Sequence, residues 1–106
     1  MSEILSRDEI ETGLRLVGKK YDVPVFYLFG SYARNEAGPD SDIDLVVDSR
    51  NIRGLLKFET VRQEIEGVLG KPVDMIPEHS IEEEKNLPWR QEFTRNYYED
   101  RVRIDV

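Results

Sequence analysis

The 106-residue chain is predicted to fold as an α/β domain, a small mixed β-sheet with flanking helices. Three observations predict it. Helical and strand periodicities alternate along the chain, the apolar strand-like runs are short, and Gly, Pro, Asn or Asp punctuates each change of period. With 39% apolar and 35% charged residues the composition is that of a soluble globular protein, and the length suits a single domain over residues 1–106.

The first helix opens at Ser6, with Glu9 three residues later in capping-box spacing. Ile10, Leu14, Val17 and Tyr21 then recur on one face, which sets the helix at Arg7 to Tyr21. Val23-Pro24 ends it, and the run Val25-Phe26-Tyr27-Leu28-Phe29, β-branched or aromatic and stopped by Gly30, reads as a buried strand. Ser31 to Arg34 can form a helical turn, and Asn35 to Ser41 is a loop rich in breakers. Ile43 to Asp48 alternates, with Ile43, Leu45 and Val47 on one face and Asp44, Val46 and Asp48 on the other, so it is a second strand. From Arg53 to Leu69 the residues Leu55, Phe58, Val61, Ile65 and Val68 define a helical face that Gly70 terminates. Pro72 to Ile76 is a third strand, closed by Pro77. Ser80 and Glu83 repeat the capping-box spacing, but Pro88 interrupts the segment soon after them, so a short turn is predicted there. A helix then opens at Pro88 with Trp89, Phe93 and Tyr97 stacked four apart as a core stripe. Val102 to Val106 is predicted as a short edge strand.

Several function classes are disfavoured. The chain has no cysteine, so no disulfide framework or thiolate metal site can form, and zinc is not expected. Met1 to Glu11 carries acidic residues and no apolar run, and no stretch approaches the roughly 20 apolar residues of a membrane span, so a cytoplasmic protein without a membrane is expected. Net charge is −7, which argues against nucleic acid as direct substrate because affinity for its backbone comes from Lys and Arg displacing counterions.

The segment from Gly30 to Leu45 carries the chemistry. At Gly30-Ser31 a buried strand ends and a helical turn begins, so unpaired backbone N–H groups and a hydroxyl converge on a point suited to a phosphate, and glycine permits close approach. In Asp42-Ile43-Asp44 the two carboxylates, two residues apart on a strand, stand on the same side while Ile43 points away. Like charges held so close repel, and a divalent cation reverses that repulsion; with oxygen ligands only, Mg²⁺ is the expected ion and Mn²⁺ a substitute. Asp74 interrupts the otherwise apolar third strand and is the candidate third carboxylate. Metal ligands and catalytic residues are thus expected at Asp42, Asp44 and Asp74, beside a phosphate turn at Gly30 and Ser31, as metal-assisted phosphoryl or nucleotidyl transfer requires. Arg34 reads equally as a triphosphate ligand or as an ion-pair partner that holds the loop. His79 is expected to be ordinary surface in a polar loop, and Glu82 to Glu84 a solvated acidic face.

The pattern Gly30-Ser31, ten residues, Asp42-x-Asp44 resembles the signature of the polymerase-β-like nucleotidyltransferase superfamily. With Ala33-Arg34, Ser41-Asp42-Ile43-Asp44-Leu45 and Val73-Asp74 it is similar to the minimal nucleotidyltransferase (MNT) branch. One departure is Asn35, where the family often has glycine; asparagine tolerates left-handed geometry better than most residues. The resemblance implies a nucleotidyltransferase fold, ATP as nucleotide donor, and a helical HEPN-domain toxin as partner, whose tyrosine hydroxyl would receive AMP so that this chain acts as antitoxin. Two other readings remain beside it: a module that neutralises its partner by binding alone, and a transferase acting on a small molecule such as an aminoglycoside.

Overall fold

The computed structural model describes residues 3–106, so the first two residues of the expected domain lie outside the described ones. The elements run α1 (Arg7–Tyr21), β1 (Val25–Phe29), α2 (Gly30–Ala33), β2 (Ile43–Val47), α3 (Gly54–Leu69), β3 (Val73–Pro77), α4 (Glu78–Glu84), a 3₁₀ turn (Pro88–Arg90), α5 (Gln91–Asp100) and β4 (Val102–Asp105). The four strands form one sheet in the order β3-β2-β1-β4, parallel between β2 and β3 and antiparallel elsewhere. The mixed sheet with flanking helices is the predicted class.

Helix α1 begins as its sequence dictates. The Ser6 hydroxyl accepts the Glu9 N–H at 3.1 Å and the Glu9 carboxylate accepts the Ser6 N–H at 3.0 Å, satisfying two otherwise orphaned donors. Its face of Ile10, Leu14 and Val17 is buried together with Val61, Ile65 and Leu69 of α3 against Phe26, Leu28, Ile43, Leu45 and Val47 of the sheet. The opposite sheet face is covered differently. There Val25, Tyr27 and Val46 pack with Ile81 of α4 and Tyr97 of α5, flanked by Phe29, Ile76 and Phe93. Strand alternation places Asp44 on this second face with Val46, and Asp74 with Ile76, toward the end of the sheet where Asp42 enters β2.

Three expectations are corrected. The segment after β3 is a seven-residue helix, α4, not a turn, with Pro77 as its N-cap and Ser80 and His79 inside it. Its cause is burial: Ile81 fills the second core, a long-range contact to which the local spacing of Ser80 and Glu83 is blind. The face of α3 is rotated, because Leu55 is 86% exposed and Val68 44%, while Leu69 takes the buried position four residues beyond Ile65. Trp89 is 76% exposed, so the stripe at the start of α5 begins with Phe93 rather than with the tryptophan, which lies in the 3₁₀ turn out of helical phase. Phe93 and Tyr97 do pack inward as predicted. Among the described residues no helix is long and apolar enough to cross a membrane.

Candidate active site

Pairing between neighbouring strands assembles the site. Asp44 stands opposite Phe29 of β1 and opposite Asp74 of β3, so Asp44 and Asp74 are register partners on adjacent parallel strands. Asp42, exposed, precedes β2 by one residue. Asp44 is half-buried, and burial first, then the charges of Asp74 and Asp42, push its pKa up to about 6 while Arg34 pulls the other way. The three carboxylates therefore share one electrostatic neighbourhood.

Gly30 closes this neighbourhood from the β1 side. Its φ is +72°, and a Cβ there would run into the Asp44 carboxylate, with the Asp44 Cγ at 3.1 Å. Only a residue without a side chain lets the turn come this close, which is why the sequence has glycine between the strand and α2. Ser31 comes next, half-buried, its carbonyl accepting the Glu36 N–H at 2.9 Å. The bend and the aspartate pair, which sequence spacing put together, are in contact through Gly30 and Asp44.

Two clamps that sequence reasoning missed hold the turn and its loop. The Arg7 guanidinium donates to the carbonyls of Tyr32 and Ala33, both at 3.3 Å, tying α2 to α1, and the buried Tyr32 hydroxyl accepts the Leu5 N–H at 3.4 Å. Lys71, itself buried, donates to the Pro39 carbonyl at 2.7 Å, and the Ser41 hydroxyl accepts the Gly38 N–H at 2.8 Å. The only sequence signal for either was a cation near the end of an element, which is too common to single one out. Asn35 takes φ +59°, the left-handed conformation. The departure from glycine is thus accommodated.

Arg34 pairs with Glu36 at 3.1 Å and with Asp100 of α5 at 3.3 Å. Both readings of Arg34 have support in this position, since it braces the loop yet is near enough to favour the ionised form of Asp44. Between the end of β1 and α5 lies a cleft of about 210 Å³ that Gly30 and Arg34 share with Phe29, Phe93, Asn96, Tyr97 and Asp100. Tyr97 is 2% exposed and, among the described residues, its hydroxyl has no hydrogen-bond partner, Arg101 lying across the ring at 5.5 Å. Burial raises its pKa. Since an unsatisfied buried hydroxyl costs stability, Tyr97→Phe is expected to leave the protein as stable or up to about 1 kcal/mol more stable in urea denaturation; a loss of more than that contradicts the assignment.

The donor set fits magnesium. Every candidate ligand is a carboxylate oxygen, and Asp44, whose pKa is raised first by burial and then by the charges of Asp74 and Asp42, sits where a divalent cation would favour the ionised form. Among the described residues no three acidic, His or Cys side chains are gathered into a ready cage. Magnesium is characteristically held by one or two carboxylates together with substrate phosphates rather than by an all-protein cage, so this open arrangement suits it.

Comparison with known proteins shows the family and the fold. Residues 10–104 match the sequence profile of the nucleotidyltransferase domain. The protein adenylyltransferase MntA of Thermococcus cleftensis is 37% identical over 82 residues, covering 74% of this chain and 83% of that protein. A solved candidate minimal nucleotidyltransferase superposes with a TM-score of 0.62 at 30% identity, covering 91% of this chain and 89% of the other. A toxin–antitoxin complex crystallised with AMP-PNP shares the fold, with a TM-score of 0.58 and 24% identity over 66% of this chain and 58% of that one.

Proposed function

The chain belongs to the nucleotidyltransferase domain family, and from that premise we propose that it transfers AMP from ATP to a tyrosine hydroxyl of a helical HEPN-type toxin, in the cytoplasm, and so acts as its antitoxin. The observation that carries this reading is the contact between the Gly30 turn and Asp44, with Asp74 in register beside it. The toxin partner and the adenylyl donor are supported by the likeness to MntA and to a toxin–antitoxin pair that holds AMP-PNP.

In this reading the backbone at Gly30 and the Ser31 hydroxyl bind triphosphate oxygens, and Arg34 adds a positive charge there. The tyrosine oxygen attacks the α-phosphorus, the bond to the bridging oxygen breaks, and pyrophosphate leaves. Asp74, exposed and beside Asp44, accepts the hydroxyl proton. Asp42 and Asp44, with Asp74, would hold magnesium, which when bound supplies charge neutralisation for the phosphate oxygens. A module that neutralises its partner by binding alone would need no intact loop, whereas Asn35, at the position where the family often has glycine, takes the left-handed conformation that glycine favours.

Intact mass of the partner after co-expression tests the reading. The partner is expected to gain one or more adenylyl groups in the presence of the wild-type chain and to bind it unmodified when Asp42 and Asp44 are both alanine. An unmodified partner with the wild-type chain as well would leave binding as the only activity.

A further inference from the structure

We propose that the cleft between the end of β1 and α5 is the subsite for the donor's nucleobase, with Asn96 as the residue that reads the base edge. The inference rests on the nucleotide transfer proposed above and goes beyond it by assigning the part of the site that chooses among nucleotides. Position supports it first. Gly30 is both a wall of the cleft and the point of contact with Asp44, so a single residue joins the cleft to the carboxylate site. Phe29, a second wall, is the register partner of Asp44, so strand pairing fixes the distance between cleft and carboxylates.

Size and chemistry support it next. Pockets that enclose a whole ligand run to roughly 300–1,000 Å³, whereas this one is about 210 Å³, enough for a planar ring system that forms only part of a ligand. Its apolar wall is aromatic: Phe29 meets Phe93 edge-on at 5.8 Å and Tyr97 edge-on at 5.4 Å, a rigid surface against which a base can pack. Of its polar residues, Arg34 and Asp100 are engaged with each other, and the Tyr97 hydroxyl is buried out of reach of a ligand in the cleft. Asn96 is left, exposed at the rim of the cleft. Its amide offers one donor group and one acceptor side by side, the complement of the N6 and N7 positions of adenine, whereas the corresponding edge of guanine presents two acceptors. The cleft therefore favours adenine over guanine.

Calorimetric titration of the wild-type protein, Asn96→Ala and Phe93→Leu with ATP, GTP and inorganic tripolyphosphate, in the presence of Mg²⁺, tests this. Asn96→Ala is expected to weaken ATP binding about tenfold, to narrow the gap between ATP and GTP, and to leave tripolyphosphate binding as it was. Phe93→Leu is expected to weaken both nucleotides together, again without effect on tripolyphosphate. Wild-type binding of tripolyphosphate as tight as that of ATP, or ATP binding untouched in both variants, overturns the base subsite while the phosphate site stands. A wild-type protein that binds neither nucleotide nor tripolyphosphate overturns the subsite and the proposed transfer together. Asn96 is exposed, so its variant reads binding without a folding defect.

Discussion

Asp44→Asn is expected to abolish nucleotide transfer, lowering kcat by about 10³-fold or more, and at the same time to make the ligand-free protein more stable at neutral pH. The two effects have one cause. Asp44 is half-buried beside two other carboxylates, and its pKa is pushed up to about 6, burial being the larger reason and Asp74 and Asp42 the next. A carboxyl group whose pKa is higher in the folded protein than in the unfolded chain stabilises the fold only while protonated. That stabilisation is complete below the unfolded value near 4 and is lost as pH rises through about 6. Asparagine mimics the protonated form at every pH. The variant should therefore match the wild type near pH 4 and exceed it above pH 7, by about 1–2 kcal/mol once solvent screening at this half-exposed site is allowed for. Urea denaturation in the presence of a chelator measures the difference. A variant less stable than the wild type at neutral pH would mean that Asp44 holds the fold together rather than serving the site.

Gly30→Ala carries the second large effect. At φ +72° an alanine costs about 1–2 kcal/mol of backbone strain. Its Cβ would also collide with the Asp44 carboxylate, so either the turn or the aspartate has to move. Activity is expected to fall by about 10²-fold, since misplacement of a reacting group by about 1 Å costs that much. Gly70→Ala is the matched comparison: Gly70 caps α3 at φ +70°, but a Cβ there meets nothing within 4 Å. The two variants should lose similar stability to strain, and only Gly30→Ala should lose activity. Equal activities in the two would show that the Gly30 turn has no part in positioning Asp44.

Much of this arrangement was legible in the sequence because it depends on local pattern. The bounds of α1 follow from Ser6, Glu9 and the i, i+4 apolar residues, and the structure gives Arg7–Tyr21 as read. Period-2 alternation in Ile43 to Asp48 was enough to place Asp44 opposite the main core, and the interruption at Asp74 was enough to select it as its neighbour. Val102 was correctly placed at an edge, pairing with β1. What escaped the sequence was decided by packing between distant segments. Leu69 rather than Val68 is buried because α3 is rotated to meet α1, a choice of about a quarter of a turn that periodicity with adjacent apolar residues leaves open. Helix α4 exists because Ile81 finds a place against Val46, and Trp89 is outside because the 3₁₀ turn breaks the phase that the spacing to Phe93 assumed. The cleft at α5 and the clamps from Arg7 and Lys71 join residues far apart in the chain, and no spacing rule relates them.

In the proposed function Asp42 and Asp44 at β2 and Asp74 of β3, brought against the Gly30 turn, catalyse nucleotidyl transfer. Incubating the purified chain and its partner with ATP labelled at the α-phosphate, in magnesium, tests it most directly. Label is expected on the partner with the wild-type chain, none when the label is at the γ-phosphate, and none with the Asp42→Ala/Asp44→Ala double variant. Equal labelling by wild type and double variant, or no labelling by the wild type while it still binds the partner, would mean that these aspartates catalyse no transfer.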